Sequence, residues 1–367
     1  MNADFILAIG ELGKEKGIDP ELLFQAVEEA LVTAYKKNFG SNQNVRVDMN
    51  KVTGELHIYA QRHIVAEVGD DPNEISLEEA RKIDPRYEVD DIVETEVTPR
   101  NFGRIAAQNA KQVVVQRIRE AERGMVFEKF SSRENDIVTG IIQRMENKNV
   151  YIDLGKAEAI LTPNEQIPGE IYQYHDRMKT YIVEVKKTSK GPQIMVSRTH
   201  PGLLKRLFEL EVELEVPEIY EGVVELKSVA REPGMRSKIS VYTKDENIDP
   251  VGACVGHKGM RVQTIVNELR GEKIDIVKYS SEPDQYVANA LSPAKVVSTE
   301  VLEEEKICRV IVPDYQLSLA IGKEGQNARL AAKLTGWNID IKSESQAAEE
   351  AEQGAQEVGV AYEADED

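Results

Sequence analysis

The sequence contains little cysteine, histidine or tryptophan, and so little of the chemistry that these residues supply. Its 367 residues include two cysteines, five histidines and one tryptophan. Cys254 and Cys308 have neither a metal-binding spacing nor the pattern of a disulfide framework, and Cys254, between Val251 and Val255, is predicted to be a buried thiol. The histidines include no pair at the spacing of ligands on a helix. We therefore predict no metal site, no cofactor and no disulfide.

Long apolar runs are also missing. No stretch of 18 apolar residues is present, and Asp4 and Glu11 flank the short apolar run near the first residue, which is not the pattern of a signal peptide. These absences predict a cytoplasmic protein with no membrane partner.

The motifs of common catalytic sites are absent as well. Gly322-Lys323 does not form a phosphate-binding P-loop, because Glu324 stands where Ser or Thr must bind magnesium and Leu317 stands at the position of the first glycine. No Gly-x-Ser-x-Gly motif is present. We therefore predict no catalytic residues and a protein that is not an enzyme.

The formal charge of −19 at first argues against nucleic-acid binding, but the charge is unevenly distributed. Residues 343–367 contain nine acidic residues and no basic one, whereas residues 227–278 contain ten basic and seven acidic residues. Residues 137–200 are also slightly basic. This distribution predicts moderate, salt-dependent binding of nucleic acid by the two basic segments. The acidic segment 1–130 is better suited to a protein partner.

Two stretches repeat one arrangement of a short helix, a Gly-x-x-Gly loop, a second helix and an Ile-Asp-Ile strand. They span 249–278 and 314–342, and each begins with a predicted helix N-cap, Asp249 or Asp314. Because glycine has no Cβ, the loop backbone can approach a phosphate closely, and the following helix directs its N–H groups towards it. A single copy would be interpreted more simply as a tight turn, but two copies in one frame indicate nucleic-acid binding.

The order of elements around each loop, α-β-β-α-α-β, resembles the type II KH domain of bacteria. In that family the loop binds about four nucleotides of a single strand through their backbone. The resemblance assigns RNA binding to Gly256, His257, Lys258, Gly259, Arg261, Gly322, Lys323, Gly325 and Arg329. Glu324 opposes phosphate binding, so the second loop is expected to bind more weakly than the first.

Four apolar residues next to the loops have two open interpretations. They either line the grooves that receive bases or belong to the cores of their domains: Val255, Ile265, Ile321 and Leu330. The segment between the two repeats, Tyr279–Pro283, is short, so the two KH domains are expected to pack rigidly together.

Residues 1–130 predict an α/β domain. Two helices join at 17–20, a hairpin follows, Ser76 and Glu79 form a capping box, and a strand at 92–97 precedes a long helix. The long helix has an apolar stripe at Ala107, Ala110, Val114, Ile118, Ala121 and Met125. This helix either packs on the domain core alone or also provides a docking surface or a rigid spacer.

Five short strands predicted between residues 137 and 200 indicate a small closed barrel of the OB type. Val150–Gly155 resembles the S1 RNA-binding domain, and this resemblance implies that Tyr151 stacks on a base. The family's usual histidine after the third strand is missing, and 160–163 reads Ile-Leu-Thr-Pro instead. Tyr151 therefore has two open interpretations, a base-stacking residue or one more packed tyrosine.

The whole arrangement, with the joint Ser-Arg-Thr-His-Pro-Gly at 197–202, resembles the NusA family of bacterial transcription proteins in a short form without C-terminal acidic repeats. The resemblance implies that residues 1–130 bind RNA polymerase near the RNA exit channel while the S1 and KH domains bind nascent single-stranded RNA. The resemblance further implies that the protein modulates pausing and intrinsic termination. It would also take part in antitermination, together with other antitermination factors. An alternative is a free-standing S1/KH RNA-binding adaptor that does not act through polymerase.

These observations predict a multidomain α+β monomer. Its parts are an N-terminal polymerase-binding domain (1–130), a linker (131–136), an S1 domain (137–200), a first KH domain (201–280), a second KH domain (281–342) and a disordered acidic tail (343–367). S1 and KH domains also accompany RNA-degrading phosphorolytic enzymes, but residues 1–130 are too few for such a catalytic core.

Overall fold

The computed structural model describes residues 3–40, 42–69, 72–215, 224–245 and 247–350. The chain divides into two compact units between Glu128 and Lys129. Each unit is described by itself.

The first unit packs helices on one face of a four-stranded sheet. Its helices are α1 (Ala3–Lys16), α2 (Pro20–Phe39), α3 (Leu77–Ile83) and most of α4 (Phe102–Ser131), and its strands are β1 (Asn44–Met49), β2 (Leu56–Val65), β3 (Glu74–Ser76) and β4 (Ile92–Glu96). Strand β2 pairs with the other three strands, and α2 and α4 contribute most of the buried residues that cover β1 and β2. The predicted α/β domain is confirmed.

Side-chain caps begin two of these helices. Asp19 Oδ1 accepts a hydrogen bond from the Glu21 N–H (2.9 Å), and Pro20 occupies the first helical position. Ser76 Oγ accepts from the Glu79 N–H at 3.3 Å. Both predicted N-termini are therefore confirmed.

The apolar stripe of α4 is only partly as predicted. Ala110, Val114 and Ile118 are buried in the core of the first unit, as expected. Met125 is exposed, because the core cluster extends along α4 only as far as Ile118. Gly124 lies inside the helix and does not end it.

The predicted linker 131–136 is in fact part of the second unit's packing. Ser131 ends α4, and the following turn binds the edge of the barrel. Glu134 accepts from the Val185 N–H (2.8 Å) and the Asn135 N–H donates to the Ile182 carbonyl (3.0 Å). The Glu134 side chain and the Asn135 backbone thus bond to β8, a role that composition alone does not distinguish from exposure to solvent.

The barrel is closed and has five strands, as predicted. They are β5 (Ile137–Glu146), β6 (Asn149–Asp153), β7 (Glu158–Leu161), β8 (Arg177–Thr188) and β9 (Gly191–Ser197), in the order β5-β6-β7-β9-β8. All pairs are antiparallel except β7 with β9. Ile142, Ile152, Leu161 and Ile182 are fully buried inside it.

Two α-β-β-α-α-β domains follow and confirm the predicted order of elements. The first contains α5 (Pro201–Glu215), β10 (Val224–Glu232), β11 (Arg236–Thr243), α6 (Pro250–Val255), α7 (Met260–Glu268) and β12 (Lys273–Lys278). The second contains α8 (Pro283–Ala290), β13 (Ser298–Leu302), β14 (Ile307–Val312), α9 (Leu317–Ile321), α10 (Gln326–Thr335) and β15 (Asn338–Ser343). In each sheet the first two strands are antiparallel and the last two are parallel. The residues before Val224, 216–223, lie outside the described part.

The two repeats begin differently. Asp249 caps α6 as predicted, accepting from the Val251 N–H at 3.1 Å. Asp314 does not cap α9; it starts a 3-10 turn, and its carboxylate accepts from the N–H and Oγ of Ser345. The second copy has one more residue between its aspartate and its first glycine, and the 3-10 turn accommodates this residue.

The disordered tail predicted from residue 343 is wrong for its first eight residues. Ser343 ends β15, residues 344–350 are helical, and Ser343 Oγ accepts from the Gln346 N–H at 3.3 Å. The acidic composition hid this serine cap. Residues 351–367 lie outside the described residues. Within the described ranges, no helix combines the length and apolar composition needed to cross a membrane.

Candidate nucleic-acid interface

The two Gly-x-x-Gly loops have the same backbone conformation. Their first glycines, Gly256 and Gly322, have φ/ψ of 73°/177° and 76°/171°. Their third residues lie in the left-handed helical region, at 50°/27° for Lys258 and 54°/25° for Glu324. The last glycines, Gly259 and Gly325, are left-handed as well, at 76°/14° and 75°/13°. Each loop joins two helices in place of a continuous helix, and no side chain caps the N-terminus of the second helix.

The first glycine of each loop is required for two reasons. Positive φ with ψ near 180° is a conformation that only glycine adopts readily. In addition, a Cβ at residue 322 would lie 2.8 Å from the backbone nitrogen of Asn327, and one at residue 256 would lie 2.7 Å from Arg261 Cγ. The loop backbone therefore lies directly against the helix that follows it.

The fifth residue after the first glycine holds the end of the preceding helix in both copies. In the first copy Arg261 Nη1 donates to the Ala253 carbonyl (2.7 Å). In the second, buried Asn327 Nδ2 donates to the carbonyls of Ala320 and Leu291, both at 3.0 Å. Part of the Arg261 guanidinium thus has a structural role besides the predicted RNA contact. Sequence reasoning missed Asn327, which the equal spacing from the first glycine could have identified.

The exposed loop side chains differ in charge between the copies. His257, Lys258 and Lys323 are exposed, as RNA contacts require. Glu324 is also exposed and takes the position that Lys258 takes in the first loop. The first loop therefore offers a cation at the position where the second loop offers a carboxylate.

Arg329 lies beside the second loop but is partly engaged. Its side chain is 52% exposed, and Nε donates to Glu232 Oε1 at 3.1 Å. Nη1 donates to the Glu324 carbonyl at 2.6 Å. Arg329 follows its first glycine by seven residues and Arg261 by five, so the two arginines are not equivalent.

The four apolar residues near the loops divide into two pairs. Ile265 and Leu330 are fully buried in the cores of their domains. Val255 is half-buried and Ile321 is 37% exposed, so these two face the region beside the loops. Leu319, on the same short helix as Ile321, is also exposed and was not predicted.

Tyr151 is a half-buried residue on β6, with one side chain already over its ring. Arg144 Cζ lies 4.1 Å from the ring centroid, a cation–π contact. Glu158 holds this guanidinium through a 2.9 Å ion pair. A base that stacks on Tyr151 would therefore meet either the other ring face or the guanidinium, which itself can stack on bases.

The Ser-Arg-Thr-His-Pro-Gly joint connects the barrel to the first KH domain through buried polar contacts. Arg198 is 1% exposed and pairs with Glu170 of the barrel. It also donates to the Lys179 carbonyl at 2.9 Å and to the Glu268 carbonyl at the end of α7 at 3.1 Å. A few residues on, the ring of His200 stacks on Tyr181 with centroids 4.5 Å apart. The joint thus fixes the barrel against the helix that follows the first loop.

The two KH domains share a second buried interface. The Tyr286 hydroxyl donates to the Leu334 carbonyl (3.1 Å) at the end of α10 and is hydrogen-bonded to the Ser240 hydroxyl (2.9 Å). Lys238 donates to the Ser292 carbonyl at 2.8 Å. Burial lowers the pKa of Lys238, although Asp275 beside it acts in the opposite direction. The expected packing of the two domains is confirmed.

No cluster of three or more His, Cys, Asp or Glu residues suited to a metal ion occurs among residues whose positions are described. Burial raises the pKa of the Cys254 thiol to about 12, so this cysteine is neutral at physiological pH. Cys254 is buried, as predicted.

A closed five-stranded barrel followed by two KH folds with Gly-x-x-Gly loops defines a class of single-stranded nucleic-acid-binding proteins. Comparison with known families gives four matches. They are the NusA N-terminal domain over residues 4–124, the S1 RNA binding domain over 131–197, the NusA-like first KH domain over 198–279 and the NusA-like second KH domain over 283–349.

Similar curated proteins agree over most of their length. The transcription termination/antitermination protein NusA of Halalkalibacterium halodurans is 65% identical, and the alignment covers 95% of this chain and 90% of that protein. The protein of the same name in Bacillus subtilis is 64% identical, with 95% and 93% covered. The solved N-terminal domain of B. subtilis NusA is 55% identical over 34% of this chain and 99% of its own, with a TM-score of 0.31. The chain belongs to the NusA family of transcription termination/antitermination proteins.

Proposed function

We propose that this protein regulates transcription by binding nascent single-stranded RNA through its S1 and KH domains. At the same time residues 1–130 bind RNA polymerase near the RNA exit channel. The observation that carries the RNA-binding part is the shared backbone of the two Gly-x-x-Gly loops, at Gly256–Gly259 and Gly322–Gly325. The transcription part rests on membership in the NusA family.

The loop residues have distinct proposed roles. The loop backbone, at Gly256 and Gly259 in the first loop and at Gly322 and Gly325 in the second, approaches the phosphates. Lys258 and Lys323 supply positive charge, and His257 supplies an imidazole ring for RNA contact. Arg261, Arg329 and Tyr151 contact bases or phosphates at the margins of the loops. Because Glu324 replaces a cation, the second loop contributes less to affinity than the first.

Modest affinity is sufficient for this role. A protein held on polymerase beside the emerging transcript experiences a high effective concentration of RNA, so weak sites become occupied. Longer pauses at RNA hairpins, more intrinsic termination, and antitermination together with other factors would follow. The protein would act by binding and not by catalysis, as a monomer in the cytoplasm.

Single-round transcription by the cognate polymerase tests this proposal. The template contains a hairpin-dependent pause and an intrinsic terminator, and reactions with and without the full-length protein are compared. Longer pauses and more termination are expected. If neither changes while the protein binds single-stranded RNA, the free-standing S1/KH adaptor replaces the proposed function.

A further inference from the structure

Glu232 is the last residue of β10 in the first KH domain, yet its carboxylate binds the second KH domain. Its Oε2 accepts from Gln326 Nε2 at 2.8 Å, and its Oε1 accepts from Arg329 Nε at 3.1 Å. The side chain is only 18% exposed. Glu232, Gln326 and Arg329 are named here the Glu232 cluster.

The Glu232 cluster acts directly on the second loop. Gln326 is the residue immediately after Gly325 and begins α10. Arg329 Nη1 donates to the carbonyl of Glu324, inside the loop, at 2.6 Å. One carboxylate of the first KH domain therefore holds both the end of the second loop and the first turn of the helix that follows.

The first loop lacks this arrangement. At the position equivalent to Gln326 it has Met260, which is 66% exposed, and at the position equivalent to Arg329 it has Gln263. Gln263 donates to Asn267 within its own helix, at 2.9 Å. The first KH domain is instead fixed to the barrel at the other end of α7, where Arg198 binds the Glu268 carbonyl.

Glu232 is itself held in place. Its neighbour Arg231 makes a buried, bidentate ion pair with Glu272, both distances being 2.9 Å. Burial would raise the pKa of Glu232, but the hydrogen bonds from Gln326 and Arg329 outweigh this effect and lower it, so the carboxylate is ionised at neutral pH.

We propose that Glu232 is a positioning residue for RNA binding, which orients the second Gly-x-x-Gly loop relative to the first so that one RNA strand can engage both. The inference rests on the proposed RNA-binding function. Because the loops are pre-oriented, a strand that spans both pays less entropy on binding the second one. An RNA that occupies one loop gains nothing from this orientation.

The test compares RNAs that occupy one loop or both. Labelled unstructured RNAs of about four and about fifteen nucleotides are titrated with full-length wild-type protein, Glu232→Ala and Glu225→Ala, since one KH loop holds about four nucleotides. Glu225 lies on the same strand and pairs with Lys227, so its variant removes the same charge without touching either loop. The Tm of each protein is measured in parallel.

Glu232→Ala is expected to bind the longer RNA about three- to ten-fold more weakly. A loss of this size is expected when one half-exposed ion pair and its hydrogen bonds are removed. Its affinity for the shorter RNA should be unchanged, and Glu225→Ala should match the wild type for both. Glu232→Gln, which keeps an acceptor oxygen, should show a smaller loss; it also provides the test if the alanine variant does not fold.

Three results would overturn the inference. Unchanged affinity of Glu232→Ala for the longer RNA would remove the positioning role while leaving the proposed function intact. Tighter binding with a steeper salt dependence would mean that Glu232 competes with RNA for Arg329. If wild-type protein binds neither RNA, the proposed RNA-binding function fails and this inference fails with it.

Discussion

At the scale of single residues, the two glycines of the first loop are not equivalent. Gly256 has a backbone conformation that other residues rarely adopt, and any side chain there would meet Arg261. Gly259 has φ/ψ of 76°/14°, a region in which Asn and Asp are the best-tolerated residues with a side chain. A Cβ at residue 259 has only Val262 near it, at 3.9 Å. Gly259 is therefore the position at which RNA binding can be changed with the least strain.

We expect Gly259→Asp to weaken binding of single-stranded RNA about five-fold or more, because a carboxylate would face the phosphates. Gly259→Asn introduces a side chain of the same shape without charge and is expected to bind within about two-fold of wild type. Fluorescence anisotropy at two salt concentrations measures the difference. Equal affinities of the two variants would show that no phosphate approaches the first loop.

The amino-acid sequence was sufficient to predict the two Gly-x-x-Gly loops, but not the side chains that hold them in place. Glycine spacing and the type of residue between the glycines are local signals, so His257, Lys258 and Lys323 could be chosen from the sequence. The role of Asn327, which holds carbonyls from two different helices, depends on residues that the fold brings together. Likewise, nothing in the sequence places Arg144 over Tyr151, because the pair depends on the register of β5 with β6.

At the scale of secondary-structure elements, the start of α5 has a titratable acceptor. His200 Nδ1 accepts from the Gly202 N–H at 3.0 Å, so this nitrogen must be unprotonated. Burial lowers the pKa of His200; Glu165 raises it and Arg231 lowers it further. Protonation of His200 would remove the acceptor and place a cation at a helix N-terminus.

Stability is therefore expected to depend on pH through His200. Since its folded pKa lies below the unfolded value of about 6.5, the unfolded state binds more protons as the pH falls past that value. The free energy of unfolding should be constant above this pH and decrease below it. Urea unfolding between pH 7.5 and pH 5.5, roughly the range in which histidine titrates, measures the effect.

The matched variant is His200→Asn, because asparagine caps helices well and does not titrate. Its loss of stability between the two pH values should be smaller than that of wild type, even if the absolute stability is lower without the Tyr181 stack. The same pH dependence in both proteins would assign the effect to other groups.

Elements with a strong local pattern were predictable, and their irregularities were not. The caps at Asp19, Ser76 and Asp249 follow from residue type and spacing alone. Asp314 has the same residue type, but one inserted residue changes the start of its helix to a 3-10 turn. The role of Ser343 as a helix cap was not predicted, because the acidic, alanine-rich segment that follows it has the composition of a disordered segment.

At the scale of the whole molecule, the largest assembly is the second unit. In this unit, buried charged residues join the barrel to the KH domains. Arg198 has acceptors from both sides of the joint, and Arg231, which is paired with Glu272 inside the first KH domain, donates to the His200 carbonyl of the joint. A buried ion pair contributes little relative to apolar packing, but removing one partner leaves the other uncompensated. The cost of breaking such a pair is therefore large.

We expect Arg198→Met to lower the free energy of unfolding by about 3 kcal/mol, because it removes the buried guanidinium from the Glu170 carboxylate and leaves that carboxylate with the longer ion-pair contact to Arg270 Nε, at 3.7 Å. Arg177→Met, at an exposed position of β8, is the control and should change it by less than about 0.5 kcal/mol. Urea unfolding provides both values. A loss below about 1 kcal/mol for Arg198→Met would mean that the joint is held by apolar packing alone.

The order of domains could be read from the sequence because each domain has its own local signature. Their mutual packing could not, since Arg198 and Glu268 are 70 residues apart and Gln326 and Glu232 are 94 apart. Only the shortness of the segment 279–283 indicated that the KH domains pack together.

The contacts of the buried Arg198 guanidinium also restrict where genes of this family can recombine and still encode a well-packed protein. The arginine is encoded with the barrel, whereas some of its acceptors are encoded with α7 of the next domain. A hybrid gene joined between residues 200 and 268 would inherit the arginine from one parent and the helix end from the other, and it would keep the fit only where both parents place that helix alike. A hybrid joined between Glu128 and Lys129 inherits both together, so the barrel and the first KH domain behave as one heritable piece.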